Sequence, residues 1–305
     1  MKTSLIICSR DRPGLLSDAI DSILAGQVLP DELVIVDQSE AQDPRFSDPA
    51  QDEPCEVRYS YVAFRGLSRA RNEGVRTARF PILLFTDDDV LVSRGWLSSL
   101  VRAVERGGGR TVVTGHVLPG AEEGHSGFVP TLKRCGPAVY EGRVRVDPLV
   151  TFNMALYRET WDRVGGFDVR LGPGTRFPGG EDNEFAFRIL ESGYQIECVP
   201  EAVLFHRAWR RASDYVPLRW GYGRGQGGFF AKHLSLRDPF ILRRLAGSLI
   251  RLALRAPGRL ITHPSNPGRR LPRRSLFWGD IALALGTVHG TLDWLLTERR
   301  KRSTP

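Results

Sequence analysis

Three observations predict an α/β fold whose sheet is mainly parallel and covered by helices. In the first ninety residues, apolar runs of strand length alternate with segments of helical period. Two of those runs, Leu33-Val34-Ile35-Val36-Asp37 and Ile82-Leu83-Leu84-Phe85-Thr86-Asp87, end in carboxylates. The chain has 305 residues, 41% hydrophobic and 26% charged, an ordinary globular composition long enough to bury a full core.

The first strand is Leu5-Ile6-Ile7-Cys8, and Asp11-Arg12-Pro13 opens a helix with Leu16, Ile20, Ile23 and Leu24 as its apolar face. Residues 33–37 form a second strand, and 38–54, polar and rich in Pro and Asp, read as a loop. A strand over 57–62, a helix over 67–77 and a strand over 82–85 follow. A helix over 96–106 leads to a strand at Thr111-Val112-Val113-Thr114-Gly115. Residues 119–146 are irregular, the pattern of a functional loop. Residues 149–156 return to the sheet, 181–192 form a helix stopped by Gly193, and 195–199 form the body's last strand.

From Pro239 the pattern changes. Ile241, Leu245, Leu249, Leu252 and Ala256 form one helical stripe with Arg244, Arg251 and Arg255 opposite. A Pro- and Arg-rich linker over 257–274 precedes a second apolar helix over 276–296 and the basic end Arg299-Arg300-Lys301-Arg302. No internal repeat is visible.

The formal charge of +8 is unevenly spread: from Phe240 onward 13 Lys and Arg face 3 Asp and Glu, a net +10, and the remainder is −2. A near-neutral body with a basic end points to a local docking surface rather than to nucleic acid. The four cysteines form no CxxC pair, so neither a zinc site nor a disulfide framework is expected and a reducing cytosol is the default. Met1-Lys2 leads directly into a strand-length run, which does not read as a secretory signal. The most apolar window, 277–296, carries Asp280, His289 and Asp293, against a membrane span.

The chemistry concentrates at Phe85-Thr86-Asp87-Asp88-Asp89-Val90. Carboxylates crowded at a strand's C-terminal end repel one another unless a cation or a hydrogen-bonded ligand neutralises them, and in an open α/β sheet that edge is where ligands bind. Taken singly, each marker has a plainer reading: Asp37 as a cap, the aspartates as a solvated turn, Glu181-Asp182 as a complement to a helix dipole, His206 as a structural residue.

Together they resemble a known family, the family 2 inverting glycosyltransferases of the GT-A fold. In order, the matching elements are Ile6-Ile7-Cys8-Ser9-Arg10, Val34-Ile35-Val36-Asp37-Gln38-Ser39, Gly66-Leu67-Ser68-Arg69-Ala70-Arg71-Asn72-Glu73-Gly74 and Phe85-Thr86-Asp87-Asp88-Asp89. Asn153-Met154-Ala155, Val164-Gly165-Gly166-Phe167-Asp168, Gly180-Glu181-Asp182-Asn183-Glu184, Gly193-Tyr194 and Pro200-Glu201-Ala202-Val203-Leu204-Phe205-His206 follow.

The resemblance covers about residues 3–210 and implies a Rossmann-like, mostly parallel sheet flanked by helices, with a helical C-terminal extension. It implies transfer of a sugar from a nucleoside diphosphate donor, UDP foremost, to a hydroxyl of a glycan or lipid-linked acceptor, with Mn²⁺ or Mg²⁺ as cofactor. Asp87 and Asp89 would be the family's DxD pair, Asp88 leaving a second register open. Cys8, Arg10, Asp37, Arg71, Asp87 and Asp88 would bind the nucleotide sugar, and Asp89, Asp87 and His206 the metal. Asp182 would be the base and Glu181 its orienting partner.

The family usually has a second acid after Asp37, where this chain has Gln38. Gly165-Gly166-Phe167 would let backbone approach sugar or acceptor, or simply make a tight turn with a buried Phe. Processive synthases of the family carry Gln-x-x-Arg-Trp; here Arg219-Trp220 lacks the Gln, position 216 being Val, so no processive synthase is inferred.

The expected division is a catalytic domain over 1–210, an acceptor-side loop or linker over 211–238, mobile around 219–228 and carrying Trp220 and Arg224, and a basic helical extension over 239–305. That extension would dock on an anionic membrane surface at the inner face of the cell membrane, cap the domain or make a dimer contact. A nucleotidyltransferase is the alternative enzyme, though it would need a Gly-rich loop where Ser9-Arg10-Asp11-Arg12-Pro13-Gly14 stands; a non-catalytic glycan- or nucleotide-binding module is the alternative class.

Overall fold

The apolar runs of the first ninety residues become the centre of one sheet. The structure, a computed structural model, describes residues 1–47, 55–121, 127–134, 136–261 and 271–303. It divides into two compact units, one of Met1–Glu123, Val129–Phe167 and Phe185–Ala208, the other of Gly124–Phe128, Asp168–Glu184 and Trp209–Pro305.

In the first unit the chain runs β1 (Thr3–Ser9), α1 (Pro13–Leu24), β2 (Glu32–Asp37), α2 (Pro44–Ser47), β3 (Glu56–Tyr61), α3 (Leu67–Thr77), β4 (Ile82–Asp87), β5 (Val90–Val92), α4 (Trp96–Arg106) and β6 (Thr111–Pro119). After β7 (Gly127–Phe128), which belongs to the second unit, come β8 (Ala138–Tyr140), β9 (Met154–Tyr157), α5 (Arg158–Val164), α6 (Glu181–Glu191), whose first turn lies in the second unit, and β10 (Gln195–His206). The sheet order is β3-β2-β1-β4-β9-β6-β10-β5, with β8 also on β10.

β1 to β4 pair in parallel, as does β6 with β10, but β9, β5 and β8 are antiparallel, so the sheet is mixed though mostly parallel. Every residue of β1 and β2 is buried, as expected of strands covered on both faces. Alternate residues serve opposite layers. Leu5, Ile7, Leu33, Ile35, Ile82 and Leu84 pack with Leu16, Ile20 and Ile23 of α1, while Ile6, Val34, Leu83 and Phe85 pack with Ala70 and Val75 of α3 and with Phe185 and Ile189 of α6.

Asn153, in the 3-10 turn before β9, is fully buried and fully used. Its amide donates to the His116 and Ala202 carbonyls at 2.9 and 3.1 Å and accepts from the Trp96 indole at 2.8 Å. Neither Cys8 nor Cys55 is in a disulfide, but Cys198 is disulfide-bonded. This corrects the expectation drawn from the absence of a CxxC pair: sequence spacing does not reveal which thiols a fold brings together.

The second unit holds β11 (Arg210–Arg211), paired with β7, and three long helices, α7 (Tyr215–His233), α8 (Phe240–Ile261) and α9 (Arg273–Ser303). In place of the loop or linker expected over 211–238, mobile around 219–228, there is a 19-residue helix whose glycines serve close packing. A Cβ on Gly227 would stand 2.5 Å from the Thr291 backbone nitrogen and against the Thr287 carbonyl; Gly223, Gly286 and Gly290 are equally pressed on the facing backbone. Two glycine pairs four residues apart, 223 with 227 and 286 with 290, thus let α7 and α9 meet backbone to backbone, closer than ordinary side-chain ridges permit.

The described ends of the expected linker over 257–274 belong mostly to helices, with α9 beginning at Arg273. α8 continues through Pro257 to Ile261, where Arg259 still reaches Asp280 of α9 at 3.3 Å; residues 262–270 lie outside the described residues. Arg244, placed by periodicity on the polar side, is buried with its guanidinium over the Phe229 ring at 5.2 Å. Of the loops expected at 38–54 and 119–146, the described parts contain α2, β7 and β8; residues 48–54, 122–126 and 135 lie outside the described residues.

A branched side chain at Gly227 cannot fit without moving backbone, so Gly227→Val should lower stability by roughly 1–3 kcal/mol, the usual cost of overpacking. Gly258→Ala, with nothing within 4 Å of its Cβ, should leave the thermal midpoint unchanged or raise it. Equal midpoints for Gly227→Val and wild type would contradict the close helix pairing.

Candidate functional site

β1 is the strand at which the chain reverses direction across the sheet, β2 lying on one side and β4 on the other. The crevice outside the carboxyl ends of such strands is the ligand position of open α/β sheets. Register brings the expected residues level there: Ser9 pairs with Asp37 and Cys8 with Asp87.

Each of the three consecutive aspartates has a different partner. Asp87 accepts from Arg71 Nη2 at 2.9 Å, and that buried arginine lies over the Phe167 ring at 5.5 Å. Asp88 accepts from Ser9 Oγ at 2.8 Å and from Arg12 Nη1 at 3.3 Å. Asp89 accepts from the same Arg12 nitrogen at 3.0 Å, and its Oδ1 is 3.3 Å from His206 Nε2. His206 Nδ1 lies 3.0 Å from the Thr131 carbonyl, which can only accept, so Nδ1 carries the proton and Nε2 faces Asp89. The Asp89 carbonyl in turn accepts from the Arg207 amide at 2.8 Å.

Burial dominates the electrostatics. It raises the Asp87 carboxyl despite Arg71 and, with the Asp89 charge, pushes Asp88 up to about 7 against the pull of Arg12 and Ser9. Burial works against a charged His206, yet the Asp89 carboxylate and the Thr131 carbonyl outweigh it and raise its pKa. Burial likewise pushes the Cys8 thiol up to about 12, so Cys8 is a neutral wall rather than a thiolate.

On the β2 side, Asp37 is buried and accepts from the Ser39 amide at 2.9 Å and the Tyr59 hydroxyl at 2.5 Å. Gln38 donates to the carbonyls of Phe64 and Gly66 at 2.9 and 3.4 Å, a bond an acid there would not make, which gives this departure from the family pattern a structural role. Arg10 pairs with Asp11 at 3.3 Å. Asp11 has the left-handed φ of 54°, held by Ser39 Oγ at 2.7 Å and by its own Oδ1 accepting from the Glu40 amide at 2.9 Å.

Gly166 and Phe167 do not line an open surface. A Cβ at Gly166 would meet Asn72 Oδ1 at 2.7 Å; the Gly166 carbonyl is taken by Arg188, both backbone groups of Phe167 are bonded to Asn72, and the Phe167 ring packs with Phe85, Trp161 and Phe185. This corrects their acceptor-side assignment in favour of the tight turn with a buried Phe.

Glu181 and Asp182 open α6 in the second unit, after Gly179 and Gly180 with φ of 145° and 78°. A Cβ at Gly180 would stand 2.6 Å from the Gly225 carbonyl of α7, and Asn183 donates to Gln226 Oε1 at 2.6 Å. Glu184, fully buried, meets Lys232 at 2.8 Å and His233 at 3.0 Å. The Arg224-Gly225-Gln226-Gly227 segment therefore braces the turn that presents Asp182. Arg224 itself pairs with Asp293 at 3.3 Å, while Trp220, partly exposed, packs on His289 with ring centroids 5.4 Å apart.

Sequence reading missed Arg12, Ser9, Thr131 and Gly225. The nearest signal for the first two was their place in the loop leaving β1, at the same strand end as the aspartates. Thr131 and Gly225 act through backbone positions and carry no local signal.

A model of the family described as Glycosyl transferase family 2 matches residues 4–165, and one described as N-terminal domain of galactosyltransferase matches residues 135–208. The O-antigen biosynthesis protein RfbC of Myxococcus xanthus is 25% identical over 298 residues, covering 85% of this chain; the chain spans only 22% of that relative's length. The mannosyltransferase PcManGT from Pyrobaculum calidifontis, solved with GDP-Man and Mn²⁺, superposes with a TM-score of 0.62 at 18% identity over 96% of this chain and 87% of its own. S. aureus TarS 1–349 with UDP-GlcNAc gives 0.55 at 13% identity over 95% and 92%. These structures share the mixed, mostly parallel sheet and flanking helices of the GT-A fold expected from the sequence. With over half of its length inside the first family match, the chain belongs to glycosyl transferase family 2.

Proposed function

We propose that the chain moves a sugar from a nucleoside diphosphate donor, UDP foremost, to a hydroxyl of a glycan or lipid-linked acceptor by a direct, inverting displacement. The observation that carries this reading is the set Asp87, Asp88 and Asp89 at the crevice between β1 and β4, the last two buried, with His206 beside Asp89. Structures with the same fold hold GDP-Man with Mn²⁺ or UDP-GlcNAc, which supports a nucleotide-sugar donor.

Cys8, Arg10, Asp37 and Arg71 form the nucleotide side in this reading. Among the described residues no group of three or more His, Cys, Asp or Glu side chains is arranged to hold a metal ion. Asp89 and His206 nevertheless fit a site completed by the donor, because Mg²⁺-type ions are commonly held by one or two protein groups plus substrate phosphates and water. Mn²⁺ or Mg²⁺ bound there supplies neutralisation of the departing diphosphate. Asp87, held by Arg71, would serve the ribose or the same cation. Arg12 bridges Asp88 and Asp89 through one guanidinium nitrogen and offsets their mutual repulsion. Asp182 accepts the proton of the acceptor hydroxyl, with Glu181 orienting it.

Asp182→Asn should lower kcat by about 10²–10⁴-fold, the usual worth of a general base, with the donor-induced thermal shift retained in Mn²⁺. Full transfer activity in that variant would remove the base assignment, and no turnover of any nucleotide sugar by the wild type with either metal would remove the enzyme reading.

The raised Asp88 carboxyl sets a pH dependence. The native state keeps this proton to about pH 7 whereas the unfolded chain releases it near the ordinary aspartate value of 3.8, so native stability falls as pH rises between those values. The shift corresponds to on the order of 4 kcal/mol. Urea unfolding in a chelator should show this decline in wild type and a flatter profile in Asp88→Asn; parallel profiles would refute it.

A further inference from the structure

One face of α9 is apolar and uncovered. Trp278, Leu285, Val288, Leu292 and Leu296 recur at helical spacing and are 43–58% exposed, a stripe about 27 Å long at 1.5 Å rise per residue. The opposite side of the helix is spent on packing, through Gly286 and Gly290 against α7 and through Asp280 to Arg255 and Arg259 of α8. Exposed Arg274 and Arg299 fall on the same face as the stripe, one at each end.

Charge decides what can cover this face. All three acids from Phe240 onward are held in ion pairs: Asp280 with Arg219, Arg255 and Arg259, Asp293 with Arg176 and Arg224, and Glu298 with Arg170. Among the described residues the exposed charges of the tail, Arg243, Arg251, Arg255, Arg273, Arg274 and Arg299, are all positive. A second copy paired along the stripe, parallel or antiparallel, would bring arginine ends onto arginine ends. An anionic lipid surface accepts both the apolar stripe and its cationic ends, and no helix among the described residues is long and apolar enough to cross a membrane.

We propose that the Trp278-to-Leu296 face of α9 docks flat on an anionic lipid membrane, its side chains in the acyl boundary and Arg274 and Arg299 on headgroup phosphates. This is a different surface from the Ile241, Leu245, Leu249, Leu252 and Ala256 stripe expected from the sequence, of which Ile241, Leu252 and Ala256 are buried. It stands on the tail alone and is independent of the donor and base assignments.

The test is sedimentation of the full chain with phosphatidylcholine vesicles and with vesicles also containing phosphatidylglycerol, at low and high salt. Wild type should pellet with the anionic vesicles, less so in high salt, and not with phosphatidylcholine alone. Leu285→Glu with Leu292→Glu, and separately Arg274→Glu with Arg299→Glu, should each weaken partitioning by about tenfold or more with an unchanged thermal midpoint. Pelleting unaffected by both pairs, or absent for wild type, would overturn the proposal. So would a wild-type dimer in light scattering that the leucine pair dissociates, which would assign the stripe to a second copy.

Discussion

The like-charge repulsion among Asp87, Asp88 and Asp89 is the constraint on which the rest of the first unit depends. Three carboxylates at the end of a buried strand are tolerated because each is answered from a different element: Arg71 from α3, Ser9 from the end of β1 with Arg12 from the loop after it, and His206 from the end of β10. Those four answers require β1 to lie beside β4, α3 to cover that edge and β10 to end level with β5, which is the strand order observed. The balance is incomplete, since burial still holds Asp87 and Asp88 above the ordinary carboxylate range. A site left short of positive charge in this way is suited to a cationic ligand or a metal-bound phosphate.

The second unit is governed by backbone approach rather than by charge. Glycines on α7 and α9 remove the side chains that would separate the two helices, and Gly225 does the same for the turn ahead of Glu181 and Asp182. Around this contact the ion pairs to Asp280 and Asp293 tie α8, α7 and the segment before α6 to α9. With Glu298 also paired to Arg170, every acid of the tail is consumed and its exposed charges among the described residues are all positive, so a packing solution inside the unit sets the electrostatic character outside it.

Local pattern was a sound guide where burial on both faces left one solution. The span of α3 and that of α4 agree with their periodicity, and β1, β2 and β4 with continuous apolar runs, because a parallel strand covered on both faces is apolar through its middle and keeps polar residues to its ends. Pattern misled where a residue type serves two purposes. Gly221 to Gly228 looks like a flexible loop because glycine permits many backbone conformations, yet the same missing side chain permits close helix packing. Arg244 looks like a solvent-facing residue until the Phe229 ring beneath it is in place.

The sequence by itself determined the α/β class, the strand ends that carry Asp37 and Asp87 to Asp89, and the helix start that carries Glu181 and Asp182, since each follows from short-range periodicity and from the cost of clustered charge. Tertiary structure alone decided how the aspartates divide their partners, that Phe167 is core, that Gln38 holds the Phe64 and Gly66 carbonyls, and which face of the tail is left uncovered. Those outcomes depend on residues far apart in the chain, such as Thr131 with His206 or Arg219 with Asp280, and no local pattern encodes a contact whose partner is set by the packing of other elements.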